Sequence, residues 1–114
     1  DARFAHAFVQ DKYRFNRWGQ YRIERELRLR GVAAHLIAAA MAEIDWEVYL
    51  DNLERMLAAK LRTLRAPIDY KQYQKLMAAG ISRGYHSDDV REVLRRLLVE
   101  KTDGIDSYVE DEEW

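Results

Sequence analysis

Between Phe4 and Leu98 the apolar residues return every three or four positions, the spacing that gathers side chains on one side of an α-helix. Phe4, Ala5, Phe8 and Val9 form one such group, Ile23 and Leu27 a second, and Leu36, Ile37, Ala40, Met41 and Ile44 a third. After a reset at Ile44-Asp45-Trp46 the longest stripe follows: Tyr49, Leu50, Leu53, Met56, Leu57, Leu61 and Leu64. Two more come after it, Tyr70, Tyr73, Leu76, Met77, Gly80 and Ile81, and then Val90, Val93, Leu94, Leu97 and Leu98.

The residues between the stripes punctuate them. Asp1, Asp45, Asp69 and Ser87 stand where a short oxygen-bearing side chain caps the free amides of a helix start, and Asp88 and Asp89 follow where the helix dipole favours anions. Asn16-Arg-Trp-Gly19 turns the chain between the first two helices, and a third is expected over about Ala34 to Glu43. Gly31 and Gly84 end helices in the left-handed conformation that costs glycine little. Pro67 disfavours a helical Ala66, so the fourth helix is expected to hold to about Leu64. The pattern predicts an all-α protein of six helices, with a mobile tail beyond about Lys101 where the periodicity fails.

The six helices are three, repeated. Tyr21-Arg-Ile-Glu-Arg-Glu-Leu-Arg-Leu-Arg-Gly31-Val32 has a counterpart in Gln74-Lys-Leu-Met-Ala-Ala-Gly-Ile-Ser-Arg-Gly84-Tyr85, each running polar, cationic, aliphatic and closing on Arg-Gly-apolar. The two glycines lie 53 positions apart and the two starts, Asp1 and Asp45, 44 apart. The nine-residue difference is expected as an insertion at Thr63 to Tyr70. Three units follow: a three-helix repeat at 1–44, a second at 45–101 and an acidic tail at 102–114. Such repeats bury a continuous core only when stacked.

Composition narrows the class. With 114 residues, 48% of them apolar, the chain is one domain's worth of core-forming sequence, and no stretch approaches the ~20 apolar residues needed to cross a membrane. A soluble protein is expected. The absence of cysteine excludes disulfides and thiolate metal sites and suits a reducing cytoplasm. The chain opens on Asp1 without a signal-peptide pattern, and we expect a segment of a longer protein.

The net charge of −1 hides an asymmetry. Asp103, Asp106, Glu110, Asp111, Glu112 and Glu113 put six of the 20 acidic residues in the tail, which has no base; residues 1–102 hold the other 14 with all 19 basic residues, a balance of +5. Lys12, Arg14, Arg17, Arg22, Arg25 and Arg28 cluster in the first repeat, and Lys60, Arg62, Arg65, Lys71 and Lys75 around the connection in the second. They are candidates to face DNA phosphates or an acidic protein surface. On charge alone a solvated helix face is the simpler reading, supported by Arg22/Glu26, Glu24/Arg28 and Glu26/Arg30 at i, i+4.

Other features point mainly to packing. Leu29 lies with Arg22 and Arg25 by wheel angle and is expected to pack on the other repeat rather than serve as an apolar contact in a basic face. Trp46 follows a cap and is expected to staple the repeats; Trp18 is loop packing or an interface anchor. Stacking of bases on Trp18 or Tyr21 is the less economical reading of those rings. His6, His35 and His86 lack metal-ligand spacing, so neither a metal nor any other cofactor is expected. With no phosphate-binding loop, activated nucleophile or framed carboxylate pair, an enzyme with a small-molecule substrate is the least favoured class. The tail reads as a solvated terminus, with coverage of the basic face as the alternative.

The sequence resembles the RecX family, bacterial regulators of the RecA recombinase. The resemblance rests on Asp1-Ala-Arg-Phe-Ala-His-Ala-Phe8-Val9, then Arg22-Ile-x-x-Glu-Leu-x-x-Arg-Gly31, Ile44-Asp45-Trp46 with Tyr49-Leu50 and Leu53, Lys60-Leu-Arg62, Gln74-Lys75-Leu76 and Ser82-Arg83-Gly84-Tyr85, and it reaches to about Lys101. It implies an all-helical array of which these are the second and third three-helix repeats, the first repeat and N-terminal helix lying outside this sequence. It also implies docking on the RecA filament and inhibition of its activities in homologous recombination, DNA repair and the SOS response. For the basic residues as a group it turns the preference from solvated face to partner face. The competing class is a helix-turn-helix-like module with nonspecific DNA affinity. Against base reading, the helices after the two glycines open on Val32-Ala-Ala-His35 and Tyr85-His-Ser-Asp88-Asp89, and two acids at a groove-facing end repel phosphate. A structural adaptor for some other partner is the third class.

Overall fold

The computed structural model describes residues 1–65 and 67–101, the last two by backbone alone. It is all-α: α1 (Ala2–Arg14), α2 (Gln20–Leu29), α3 (Ala34–Met41), α4 (Trp46–Leu61), α5 (Tyr70–Ser82) and α6 (Ser87–Lys101). Helices α1 to α3 pack on one another, as do α4 to α6, and α1 lies against α4 where the triplets meet. The body is a rod of 54 × 23 × 22 Å. The expected acidic tail lies outside the described residues.

Local chemistry sets most helix ends. The Asp1 carboxylate accepts from Phe4 N at 2.8 Å. Asp45 accepts from the amides of Glu47 and Val48 at 3.1 and 3.3 Å. Asp69 accepts from Gln72 N at 2.8 Å while Gln72 Oε1 accepts from Asp69 N at 3.1 Å, a reciprocal box that satisfies two otherwise orphan amides. Ser87 departs from expectation: it is the first helical residue, and the ladder begins one residue earlier, with Val90 N donating to His86 O at 3.0 Å. The fourth helix also ends sooner than expected. Beyond Leu61 the chain tightens into a turn, Leu64 N donating to Leu61 O and Thr63 Oγ1 to Lys60 O, and Leu64 reaches the core from that turn.

Both Arg-Gly turns adopt one geometry. Gly31 and Gly84 have φ of 81° and 102°. Val32 N reaches back to Leu27 O and Tyr85 N to Gly80 O, each five residues, while Gly31 N and Gly84 N reach Arg28 O and Ile81 O, each three. These are the paired bonds of a helix closed by a left-handed glycine. The third helix of each triplet starts three residues after the glycine. The nine extra residues of the second triplet are not the single insertion expected at Thr63 to Tyr70. Three lengthen α4 relative to α1, three lengthen the following connection and three lengthen α5 relative to α2.

Ala5, Val9, Tyr13, Ile23, Leu27 and Ile37 fill the first triplet, and Leu53, Leu57, Leu61, Leu76, Val90 and Leu94 the second, each at most 5% exposed. A buried aliphatic side chain of this size contributes about 1.5–3 kcal/mol. Phe4, expected on the inward side of α1, is 45% exposed; the Ala5-Val9-Tyr13 side takes the core instead.

The triplets are joined by polar main-chain contacts as much as by apolar ones. Gly19 N donates to Arg83 O at 2.7 Å and Tyr21 N to Gly84 O at 2.9 Å, and Gln20 N donates to the Tyr49 hydroxyl at 2.7 Å. No side chain of α2's own caps its N-terminus. Three of its free amides, those of Gly19, Gln20 and Tyr21, are satisfied across the junction instead, so α2 is capped by the other triplet. In return the Tyr13 hydroxyl accepts from Asp45 N, Asn52 Nδ2 donates to Tyr13 O, and the Tyr85 hydroxyl donates to Arg17 O. Tyr13, Tyr49 and Tyr85 are all at most 1% exposed, with ring centroids 6.3 and 5.0 Å apart in sequence order, and Trp46 adds an edge contact to Tyr49 at 4.7 Å. Burial pushes the Tyr85 phenol up to about 12 and raises that of Tyr49 further, the hydrogen bond from Gln20 opposing the shift only in part. Both rings stay neutral near neutral pH, as a buried phenol requires.

Candidate partner-binding face

The basic residues of the first triplet divide by what they touch. Arg22, at the start of α2, lays its guanidinium 4.1 Å above the Trp18 ring, and Lys12 Nζ lies 5.1 Å from that ring and 5.4 Å from Phe8. Arg30, which the sequence reading paired only with Glu26, caps the nest from the other side at 4.9 Å from Phe8, and it also makes the Glu26 pair at 2.8 Å. Trp18 is thus a platform for two cations, held by an edge contact to Phe8 at 6.2 Å. The stacking offsets part of the cost of burying Arg22 Nε, which has no hydrogen-bond partner. The expected pairs Arg22/Glu26 and Glu24/Arg28 do not form: Arg22 is drawn to Trp18, and Glu24 accepts instead from Gln20.

Arg14 is exposed, its Nε bonded to Gln10 at 2.9 Å and its guanidinium 5.1 Å from the Tyr13 ring. Arg17 is exposed at φ 58°, a conformation uncommon outside glycine, with its carbonyl tied to Tyr85. Arg25 and Arg28 project from α2 into solvent beside Leu29, which is 73% exposed and does not pack on the other triplet. In the second triplet Lys60 lies on the last turn of α4, Arg62 at its C-cap, Arg65 in the connection, and Lys71 and Lys75 on α5, all exposed. Lys60 and Lys75 are brought together on the walls of one groove of about 290 Å³, floored by Leu64, Leu76 and Ala79. This group stands away from the junction: Lys71 lies 12 residues, or ~18 Å of helix, before Arg83.

What the groups share is a lack of internal neutralisation. Of the eleven candidates, Lys12 alone has a carboxylate of the described residues within 4 Å, Asp11 at 3.6 Å. Arg3 and Arg83 share that lack, but the arginines of α6 and the middle of α4 behave differently. Arg55 is held by Asp51, Arg91 by Asp88, and Arg95 and Arg96 by Glu92, whose carboxyl the hydrogen bond from Arg95 holds below its usual range. Arg91, Arg95 and Arg96 of α6 and Arg55 of α4 are solvated and salt-bridged, while Arg22, Arg25 and Arg28 of α2 and Arg62 and Arg65 at the α4–α5 connection have no carboxylate of the described residues within 4 Å. Sequence spacing missed this division because i, i+4 spacing makes a pair available without making it the best contact.

Of the histidines, His6 lies 3.8 Å from Glu43 and His86 takes a 2.8 Å hydrogen bond with the Tyr21 hydroxyl across the junction. Among the described residues no three His, Asp or Glu side chains gather as a metal site would require, and no helix is long and apolar enough to cross a membrane.

Fold and surface together define an all-α protein of tandem three-helix units. Family comparison agrees in detail. Residues 1–41 match the second three-helix domain of RecX and residues 47–94 the third. The chain is 30% identical to the regulatory protein RecX of Streptomyces coelicolor over 101 residues, 89% of this chain and 54% of that protein, and equally so to that of Streptomyces lividans. It is 31% identical to the regulatory protein RecX of Serratia proteamaculans over 98 residues, 83% of this chain and 55% of that one. The chain belongs to the RecX family, whose members are named as regulators rather than enzymes, and it spans about half the length of the curated relatives it matches. No solved structure matches it at a comparable level.

Proposed function

We propose that this chain is the RecA-binding part of a RecX-type regulator, acting in the cytoplasm to limit the growth or activity of RecA filaments on DNA. Residues 1–44 and 45–101 serve as its two repeat units. One observation carries the reading: ten exposed or half-exposed cations, Arg14, Arg17, Arg22, Arg25, Arg28, Lys60, Arg62, Arg65, Lys71 and Lys75, have no carboxylate partner among the described residues, whereas Arg55 of α4 and Arg91, Arg95 and Arg96 of α6 have one. Unneutralised charge spread along a rod of 54 Å suits an extended acidic polymer better than a small ligand. No chemistry is required of the regulator; ATP hydrolysis belongs to the filament.

The test is RecA-dependent ATP hydrolysis and strand exchange on single-stranded DNA, with the complete protein added at stoichiometric levels. We expect inhibition that weakens in Arg25→Glu/Arg28→Glu and in Arg62→Glu/Lys71→Glu, with Arg55→Glu, whose native arginine is already paired, much less affected. No inhibition by the unsubstituted protein would overturn the reading. Binding to DNA without RecA in a gel shift, with no response of the filament, would replace it by the nucleic-acid module. The α3 and α6 starts, Ala34-His35 and Ser87-Asp88-Asp89, lack the Arg, Asn or Gln of the bidentate base contacts, and the two acids of α6 repel phosphate.

A further inference from the structure

In the first triplet, the chain leaving α3 turns at once onto the C-terminal end of α1: Asp45 N donates to the Tyr13 hydroxyl and Asn52 Nδ2 to Tyr13 O. In the second triplet α6 is 15 residues long against eight in α3, and it carries the chain along α4, with Arg96 beside Glu47, Asp51 and Glu54, as far as Lys101. Between the C-terminal end of α4 and α5 lies the groove of about 290 Å³ lined by Lys60, Lys75, Leu64, Leu76 and Ala79. Arg62 and Arg65 follow Lys60 along the chain and Lys71 lies one helical turn before Lys75, and none of these five cations has a carboxylate of the described residues within 4 Å.

We propose that this groove is the docking site of the chain's own C-terminal segment, residues 102–114. The segment carries six carboxylates and no base, with Ile105, Tyr108 and Val109 set between them. Apolar side chains among acids complement an apolar floor between lysines. Thirteen residues reach up to about 43 Å when extended, well beyond the 23 × 22 Å cross-section of the body. Attachment raises the segment's local concentration to the millimolar range, which lets a weak ionic contact be populated. The segment thereby occupies cations that the proposed function gives to the partner. It rests on that reading only for its regulatory meaning, because docking is measurable without RecA.

The absence of cysteine makes Ser107→Cys a unique site for a nitroxide label on the 114-residue chain. With the label oxidised, we expect the amide signals of Lys60, Thr63, Gln72, Lys75 and Ala79 to be lost, while those of α1 and α3 remain. The loss should vanish in Lys60→Glu/Lys75→Glu, and in about 1 M salt, where the screening length falls to about 3 Å. Signal loss centred on Lys12, Arg22 and Trp18, even loss over the whole chain, no loss, or loss transferred to unlabelled isotopic protein mixed with labelled chain would each overturn the proposal. If docking is seen and RecA is unaffected, the proposed function fails while this inference stands.

Discussion

Gly31 and Gly84 end their helices with the same hydrogen bonds and similar φ, yet one turn stands open and the other is clamped. A Cβ on Gly31 would meet nothing within 4 Å. On Gly84 it would lie 2.6 Å from both Cβ and N of Arg22, and a Cβ on Gly19 would lie 2.2 Å from Gly84 C and Tyr85 N. The local sequence Arg-Gly-apolar makes the backbone turn in both places. Only at Gly84 does another triplet close on it, so that two glycine backbones touch and the Gly84 carbonyl caps α2. The comparison separates the conformational role of glycine, present at both sites, from close approach, present at one.

Substitution by alanine breaks the equivalence directly. Gly84→Ala combines a strained φ with a collision against backbone that cannot swing away, and we expect a loss of about 3 kcal/mol in urea unfolding. Gly19→Ala should lose a similar amount through the collision alone, its φ of −85° being ordinary. Next in size is Tyr49→Phe, which leaves Gln20 N without its acceptor beneath the junction; about 2 kcal/mol should be lost, with faster amide exchange at Gln20 and Tyr21 as the local readout. Gly31→Ala carries only the conformational cost, about 1 kcal/mol, and should leave the junction amides protected. Equal losses at Gly31 and Gly84 would mean that the junction contributes little.

The smallest effect appears at alkaline pH. Folding raises the Tyr85 phenol from its ordinary 10.0 to about 12, chiefly through burial. A raised pKa means that the folded state resists deprotonation, so the stability is fully present below pH 10 and is lost as pH rises from 10 toward 12. Tyr85→Phe should start slightly less stable, lacking the bond to Arg17 O, and should decline less steeply across that window in thermal melts.

How much of this was legible beforehand follows from how far each cause reaches along the chain. Asp1, Asp45 and Asp69 act on amides two or three residues away, and the glycine turns close over five, so caps, stops and the repeat could be read from spacing. Ser87 and Leu64 were misread at helix ends, where one residue more or less costs little and neighbouring turns decide. The candidate basic residues were legible as clusters but not as unpaired ones. Whether Arg22 meets Glu26 or Trp18 depends on where the connection folds back, and Leu29 stays exposed because only the N-terminal end of α2 meets the second triplet and Leu29 lies at its other end.

The order of apolar, capping and glycine residues by itself determined six helices in two similar triplets, because hydrogen bonds within a helix and the steric limits of one residue are satisfied locally. The tertiary structure alone decided that α2 is capped by Tyr49 and Gly84, that three buried tyrosines join the triplets, and which cations remain without partners. Those outcomes depend on atoms tens of residues apart arriving within 3 to 4 Å of one another, and no local pattern encodes such an encounter.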